Sequence, residues 1–153
     1  PARAKRGDLE SVLRLTELAD YVVPIALRAV SDLGVADLLV EGPRTVDELA
    51  AATGAHGDAL RRSLRALASR GIFTEAPHAL ASLLTSDHPW SLRGAYSLLS
   101  ADLQAWARFD HTLRTGEAAF PRVHGTEYYD HLAANPADAE RFDRAVHALN
   151  PLV

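Results

Sequence analysis

The stretch TVDELAAATGAHGDALRRSLRALASRGIF, residues 45–73, decides the fold. Thr45 stands three residues ahead of Glu48, the spacing of a capping box. In that motif the threonine hydroxyl accepts from the glutamate amide and the glutamate carboxylate reaches back to the threonine amide. A helix therefore starts at Val46, and Gly54 ends it. After a short turn, Asp58 to Arg70 reads as a second helix. Leu60, Leu64, Leu67 and Ala68 recur along it at helical spacing, while Arg61, Arg62, Arg65 and Arg70 lie off that stripe. Gly71 caps it. Ile72, Phe73 and Thr74 then alternate, Pro77-His78 turns, and Ala79-Leu80 returns, the pattern of a small β-hairpin. Two helices at a short turn followed by a hairpin predict a winged helix-turn-helix.

Long helices flank this module. Upstream, Leu9, Val12, Leu13, Leu15, Leu18, Ala19 and Val22 recur at threes and fours, and the run continues through Ile25, Leu27, Ala29, Val30 and Leu33. Pro24 interrupts it, so a kink or two abutting helices is expected, and Gly34 closes it in the left-handed conformation. This segment is apolar on more than one face, so it is covered on several sides, by the chain's own core or by a second subunit. Val35 to Val40 forms a short helix ended by Gly42-Pro43. Downstream, Leu92, Tyr96, Leu99, Leu103, Trp106 and Leu113 keep helical spacing, with Asp110 in one slot and a possible fresh start at Ser100–Asp102. Gly116 ends that run, Thr126 caps a short helix through Leu132, and Asn135-Pro136 starts a last helix that runs to about Leu149.

Composition sets the class. The chain has 153 residues, 48% apolar and 24% charged, with a net charge of −4. That is a soluble globular balance with no general attraction to nucleic acid or to an anionic membrane. It holds no cysteine and no methionine, and no apolar run of membrane-spanning length. Residues 1–8 read as a disordered lead rather than a signal peptide, and the cytoplasm is the expected compartment. The missing methionine points to a piece cut from something longer. None of the seven histidines pairs at i and i+4, and there is no thiolate, so no metal site is expected. The nine glycines never form G-x-G-x-x-G, so no nucleotide loop is present.

The segment from Trp106 to Val146 carries a further pattern: Trp106, the turn Arg114-Thr115-Gly116, Phe120, Gly125 followed by Tyr128-Tyr129, Pro136, and Phe142-x-x-Ala145-Val146. Its order and spacing resemble the linker region of S-adenosylmethionine-dependent O-methyltransferases, the dimerising winged-helix type that tailors phenolic and polyketide natural products. The resemblance runs from about Leu15 to Val146. It implies a mainly α fold with the winged helix-turn-helix and its small β-hairpin, long flanking helices and an intertwined homodimer. Residues 9–90 would be the dimerisation helices and winged helix. Residues 91–153 would be a helical substrate lid and linker, leading to a Rossmann-like cofactor domain beyond Val153. The family's general base belongs to that domain, so no catalytic residue is expected in this chain, and activity would need the domain that follows. By the same resemblance Trp106, Tyr129, Phe109, Tyr96, His124 and Phe120 face an aromatic small-molecule substrate. Phe142 and Val146 stand at the S-adenosylmethionine end. Val146 occupies a position where the family commonly has Met, which leaves more room and removes a sulfur contact.

Each residue also has a plainer role. Trp106 on a helix face is most simply core, and His124 in a Gly-flanked bend is most simply a surface loop histidine. Two other functions compete with O-methylation. A winged-helix transcription regulator with an effector-binding helical tail would use the arginines of the second helix. Against it, the chain as a whole is net acidic and the hairpin TEAPHA lacks Lys and Arg. A methyltransferase-like tailoring enzyme could instead keep the cofactor and carry out hydroxylation or decarboxylation.

Overall fold

The computed structural model describes residues 6–73, 79–96 and 100–149, and every regular element among them is helical. Helix α1 spans Arg6–Leu18 and α2 spans Val22–Asp32. The break between them falls at residues 19–21, upstream of Pro24. Pro24 therefore sits in the first turn of α2, where a missing N–H costs nothing. Gly34 closes α2 at φ 72° and leads directly into α3, Val35–Leu38. The capping box at Thr45 is formed: the Glu48 amide donates to Thr45 Oγ1 at 3.2 Å and the Thr45 amide to Glu48 Oε2 at 2.7 Å. That carboxylate is held below its ordinary pKa, chiefly by the backbone hydrogen bond from Thr45. Helix α4, Val46–Thr53, ends at Gly54 with φ 71°, and α5, Gly57–Ala68, packs on both α4 and α2. Val30, Val35, Leu49, Ala50, Leu60 and Leu67 are the buried centre of this first half, with Ile72 and Phe73 packed against it.

The hairpin expectation needs correction. Thr74 and the turn at Pro77-His78 lie outside the described residues, but Ile72, Phe73 and Ala79-Leu80 do not. Gly71 and Phe73 both take positive φ, 77° and 57°, and the Ile72 amide donates back to the Leu67 carbonyl at 3.0 Å. Ile72 and Phe73 thus fold over the end of α5 to cover the core instead of extending into a ladder. On the far side Ala79–Ser82 is one turn of helix, α6. Residues 6–8 of the expected disordered lead are likewise the start of α1.

The second half begins with a segment tied back to α3. The Ser86 amide and hydroxyl donate to the two Asp37 oxygens at 2.6 and 2.9 Å, and Arg93 donates to both Ser86 Oγ and Asp37. A 3₁₀ turn at Gly94–Tyr96 packs on the last helix and on α2. Then come α7 (Ser100–Trp106), α8 (Phe109–Thr115), α9 (Ala119–His124), α10 (Tyr128–Ala134) and α11 (Pro136–Leu149). The long stripe from Leu92 to Leu113 is therefore cut at Ala107–Arg108. The Arg108 amide closes α7 onto the Ala105 carbonyl at 2.9 Å, and Gly116 at φ 78° stops α8. One cap also differs from expectation. Glu127, not Thr126, precedes α10, with no side-chain cap. Asn135 stands before α11, where its carbonyl accepts from Asp138 and Ala139, and its side-chain amide donates back to the His131 carbonyl at 2.8 Å.

Candidate functional site

Helices α7 to α10 are short, and the joints α7–α8, α9–α10 and α10–α11 bring aromatic rings together. Phe120, buried on α9, is the centre. His124, one turn on, lies 4.4 Å from it between ring centroids. Tyr128 meets it edge-on at 4.9 Å and His131 at 5.3 Å. Tyr128 continues the chain of edge contacts to Phe142 on α11 at 5.7 Å, and Tyr129 touches Tyr128 at 5.7 Å and Phe142 at 6.4 Å. Trp106 and Phe109 form a separate pair at 5.2 Å across the α7–α8 joint. Such tilted and edge contacts suit the ring quadrupoles and hold the side chains in fixed orientations.

Two cavities flank this cluster. One, of about 360 Å³, is walled by Trp106, Phe109, Phe120 and Tyr128, with Ala105, Thr112, Ala118, Ala119 and Asp102 completing it. The other, of about 310 Å³, lies towards α11, where Phe142, Val146 and Leu149 face Leu103, Ala95 and Arg28. Asp102, Trp106 and Tyr128 line both. A pocket of this size lined by aromatics with few polar groups is the usual form of a small-molecule site.

The polar groups are locally paired. His124 Nε2 lies 3.0 Å from the Ala101 carbonyl, which ties α9 to α7 and places the proton on Nε2. His131 Nε2 lies 3.0 Å from Asp138 Oδ2, while Asn135 approaches its Nδ1 at 3.3 Å. The Tyr128 hydroxyl donates to Asp102. Burial pushes the Asp102 carboxyl above its ordinary range, against the lowering effect of that hydrogen bond. Burial, and then the neighbouring Asp102 charge, push Tyr128 up to about 12. Both directions follow from desolvation disfavouring the charged form.

The residues expected from sequence are distributed over this region. Trp106, Phe109 and Phe120 share the larger cavity; Phe142 and Val146 share the smaller one with Trp106. His124 lies beside Phe120 and lines neither. Tyr129 lines neither as well and is 74% exposed, resting against Tyr128 and Phe142. Tyr96 sits in the 3₁₀ turn under the Arg28 guanidinium, 5.8 Å from its centroid. Trp106 is 66% exposed and so is not core. Sequence reasoning missed Asp102 and Tyr128. The paired aromatics at 128 and 129 were the available signal, and the helix start decides which of the two turns inward.

The chain belongs to the O-methyltransferase dimerisation domain family, whose model matches residues 16–98, over half of its length. It is 38% identical over 151 residues to a phenazine O-methyltransferase of Lysobacter antibioticus, covering 94% of this chain and 44% of that protein. It superposes with a TM-score of 0.77 at 31% identity on an O-methyltransferase from neocarzinostatin biosynthesis, solved with S-adenosylmethionine and 2-hydroxy-5-methyl naphthoic acid, over 99% of this chain and 47% of that one. It is also 33% identical, over 94% of this chain and 41% of the relative, to an aclacinomycin 10-hydroxylase of Streptomyces purpurascens. The chain thus spans less than half the length of these relatives.

Proposed function

We propose that this chain is the N-terminal dimerisation and substrate-binding portion of an S-adenosylmethionine-dependent O-methyltransferase, which acts in the cytoplasm on a phenolic hydroxyl of an aromatic natural product. The observation that carries this is the half-open aromatic cavity of Trp106, Phe109 and Phe120 in a chain of this family. Flat, rigid side chains, Trp106 and Phe109 exposed beside the buried Phe120, form one wall for a flat ligand. In this reading Tyr129, Tyr96 and His124 support the substrate side, and residues 91–153 act as its lid. Phe142 and Val146 meet the methyl-bearing end of the cofactor. The apolar surface of the smaller cavity fits that end only. The chain has no glycine-rich loop for the cofactor's polar parts, so those belong to residues outside it. The base that takes the phenolic proton is assigned outside it too.

The exposed apolar face of α1 and α2 is assigned to a homodimer contact, and no nucleic-acid role is assigned. Arg61 is paired to Asp47 and Asp58, and Arg70 to Glu17 and Asp20, which quenches much of the basic face a DNA reader would need. The similarity to a hydroxylase supports a second reading, in which the same scaffold serves a tailoring reaction without methyl transfer. Incubating the full-length protein with S-adenosylmethionine and a hydroxynaphthoic acid separates the two. An aryl methyl ether detected by mass spectrometry is the expected product. A hydroxylated product lacking the added methyl would favour the second reading, and tight, sequence-selective DNA binding at physiological salt would overturn both.

A further inference from the structure

The larger aromatic cavity is walled by rings and small apolar residues, and the only ionisable groups among its lining residues are Asp102 and Tyr128. Among the described residues, no lysine, arginine or histidine lines it. The two acidic groups are joined to each other by the Tyr128 hydroxyl, and Tyr128 is itself wedged edge-on between Phe120 and Phe142. A carboxylate offers roughly four acceptor sites, and Tyr128 fills one. The other charged or titratable groups acting on Asp102 are Asp138, His131 and His124. Of these, His131 is committed to Asp138, and His124 to the Ala101 carbonyl.

We infer that Asp102, held in place by Tyr128, is the specificity-determining group of this pocket: it accepts a hydrogen bond from a hydroxyl or amino substituent on the aromatic ligand and rejects a ring carboxylate. The inference rests on the aromatic-site reading above and adds the ligand's polar chemistry to it. A ring donor satisfies an acceptor in an apolar surrounding that the bound ligand shields from water, where a missing partner is costly. A ring carboxylate brings a like charge to the same corner with no cation in the lining to offset it. Burial raises the Asp102 pKa, as expected of a carboxylate with fewer donors than it can use. A ligand bearing both groups would be turned with its hydroxyl towards Asp102.

The test uses three probes substituted at the β position, naphthol, methoxynaphthalene and naphthoate, titrated calorimetrically into the full-length protein at neutral pH. Naphthol is expected to bind at least about tenfold more tightly than the other two, the scale of one hydrogen bond to a charged group. Asp102→Asn should weaken naphthol and strengthen naphthoate so that the gap closes, and Asp102→Glu should restore the order. Equal affinities in the wild type, or a gap untouched by Asp102→Asn, would overturn the inference while leaving an aromatic site standing. Binding of none of the three would remove the aromatic-site reading and the inference together. If Asp102→Asn does not fold, by circular dichroism, the wild-type comparison of naphthol with methoxynaphthalene decides alone, since the two differ by the donor.

Discussion

Trp106 and Asp102 line the same two cavities, yet changing them should have different effects. Trp106 is two-thirds exposed, so Trp106→Ala leaves no core cavity and should cost less than about 1 kcal/mol of stability. A buried aromatic would cost roughly 3–5 kcal/mol. If Trp106 is a wall for the substrate, the same change weakens binding by roughly 1–3 kcal/mol, raising KM and sparing kcat. Melting temperature and steady-state kinetics on one full-length variant check this, and an unchanged KM would take Trp106 out of the wall. Asp102 titrates instead. Its carboxyl has a raised pKa in the folded state, so the folded state holds the proton more tightly than the unfolded chain. The stability this gives is fully present below the ordinary carboxylate value and is lost as pH rises through the raised one. Asp102→Asn removes the buried charge and should melt higher than wild type at neutral pH, with the difference shrinking on acidification. A constant difference across that window would show that burial of Asp102 is not what the variant relieves. Neither partner of the Asp102–Tyr128 pair could be singled out from sequence. They lie on α7 and α10, and only the packing of α7 on α9 and of α10 on α11 brings them together.

At the level of the elements, what could be read in advance was what neighbours in sequence decide. The capping box at Thr45, the left-handed ends at Gly34, Gly54 and Gly116 and the stripe of α5 are all set within four residues, and they stand as expected. The hairpin and the Leu92–Leu113 stripe needed tertiary information. Alternation at Ile72–Phe73 marks apolar residues but not the surface they cover, and here it is the core over α5. The stripe's periodicity passes unbroken through Ala107–Arg108, where the backbone does not, so Leu113 ends up exposed. Two local changes follow. Thr45→Ala deletes the hydroxyl that accepts the Glu48 amide and should cost about 1 kcal/mol in chemical denaturation. Gly34→Ala should cost more. Its left-handed backbone disfavours a Cβ by roughly 1–2 kcal/mol, and that Cβ would meet Arg93 Nη2 at 2.8 Å. Moving the guanidinium would disturb its bonds to Asp37 and Ser86. If Thr45→Ala proved the more damaging of the two, this account of the α2–α3 joint would be wrong.

At the scale of the whole molecule, one apolar surface is left uncovered among the described residues. Leu9, Val12, Leu13, Leu15 and Leu18 of α1 are all exposed, as are Tyr21 and Val22 at the joint with α2. Helix α1 is held to the rest by the Glu17 and Asp20 carboxylates on Arg70, partly solvated pairs worth about 1 kcal/mol or less each. Apolar patches beyond a few hundred Å² are uncommon on monomers, and a twofold contact would let the same face of each copy cover the other. The family model that matches residues 16–98 is a dimerisation domain, and its match takes in the end of α1 and all of α2. A homodimer centred on residues 9–33 is therefore expected in solution. Sedimentation equilibrium should show it at micromolar concentration, and the melting temperature should rise with protein concentration, because association stabilises only the folded chain. Leu15, 69% exposed, contributes little to the fold of a single copy, so Leu15→Glu should leave helical content intact by circular dichroism. It should also shift the protein towards monomer and abolish the concentration dependence of melting. A wild-type monomer at high micromolar concentration, or a Leu15→Glu variant that dimerises as well as wild type, would move the contact away from α1.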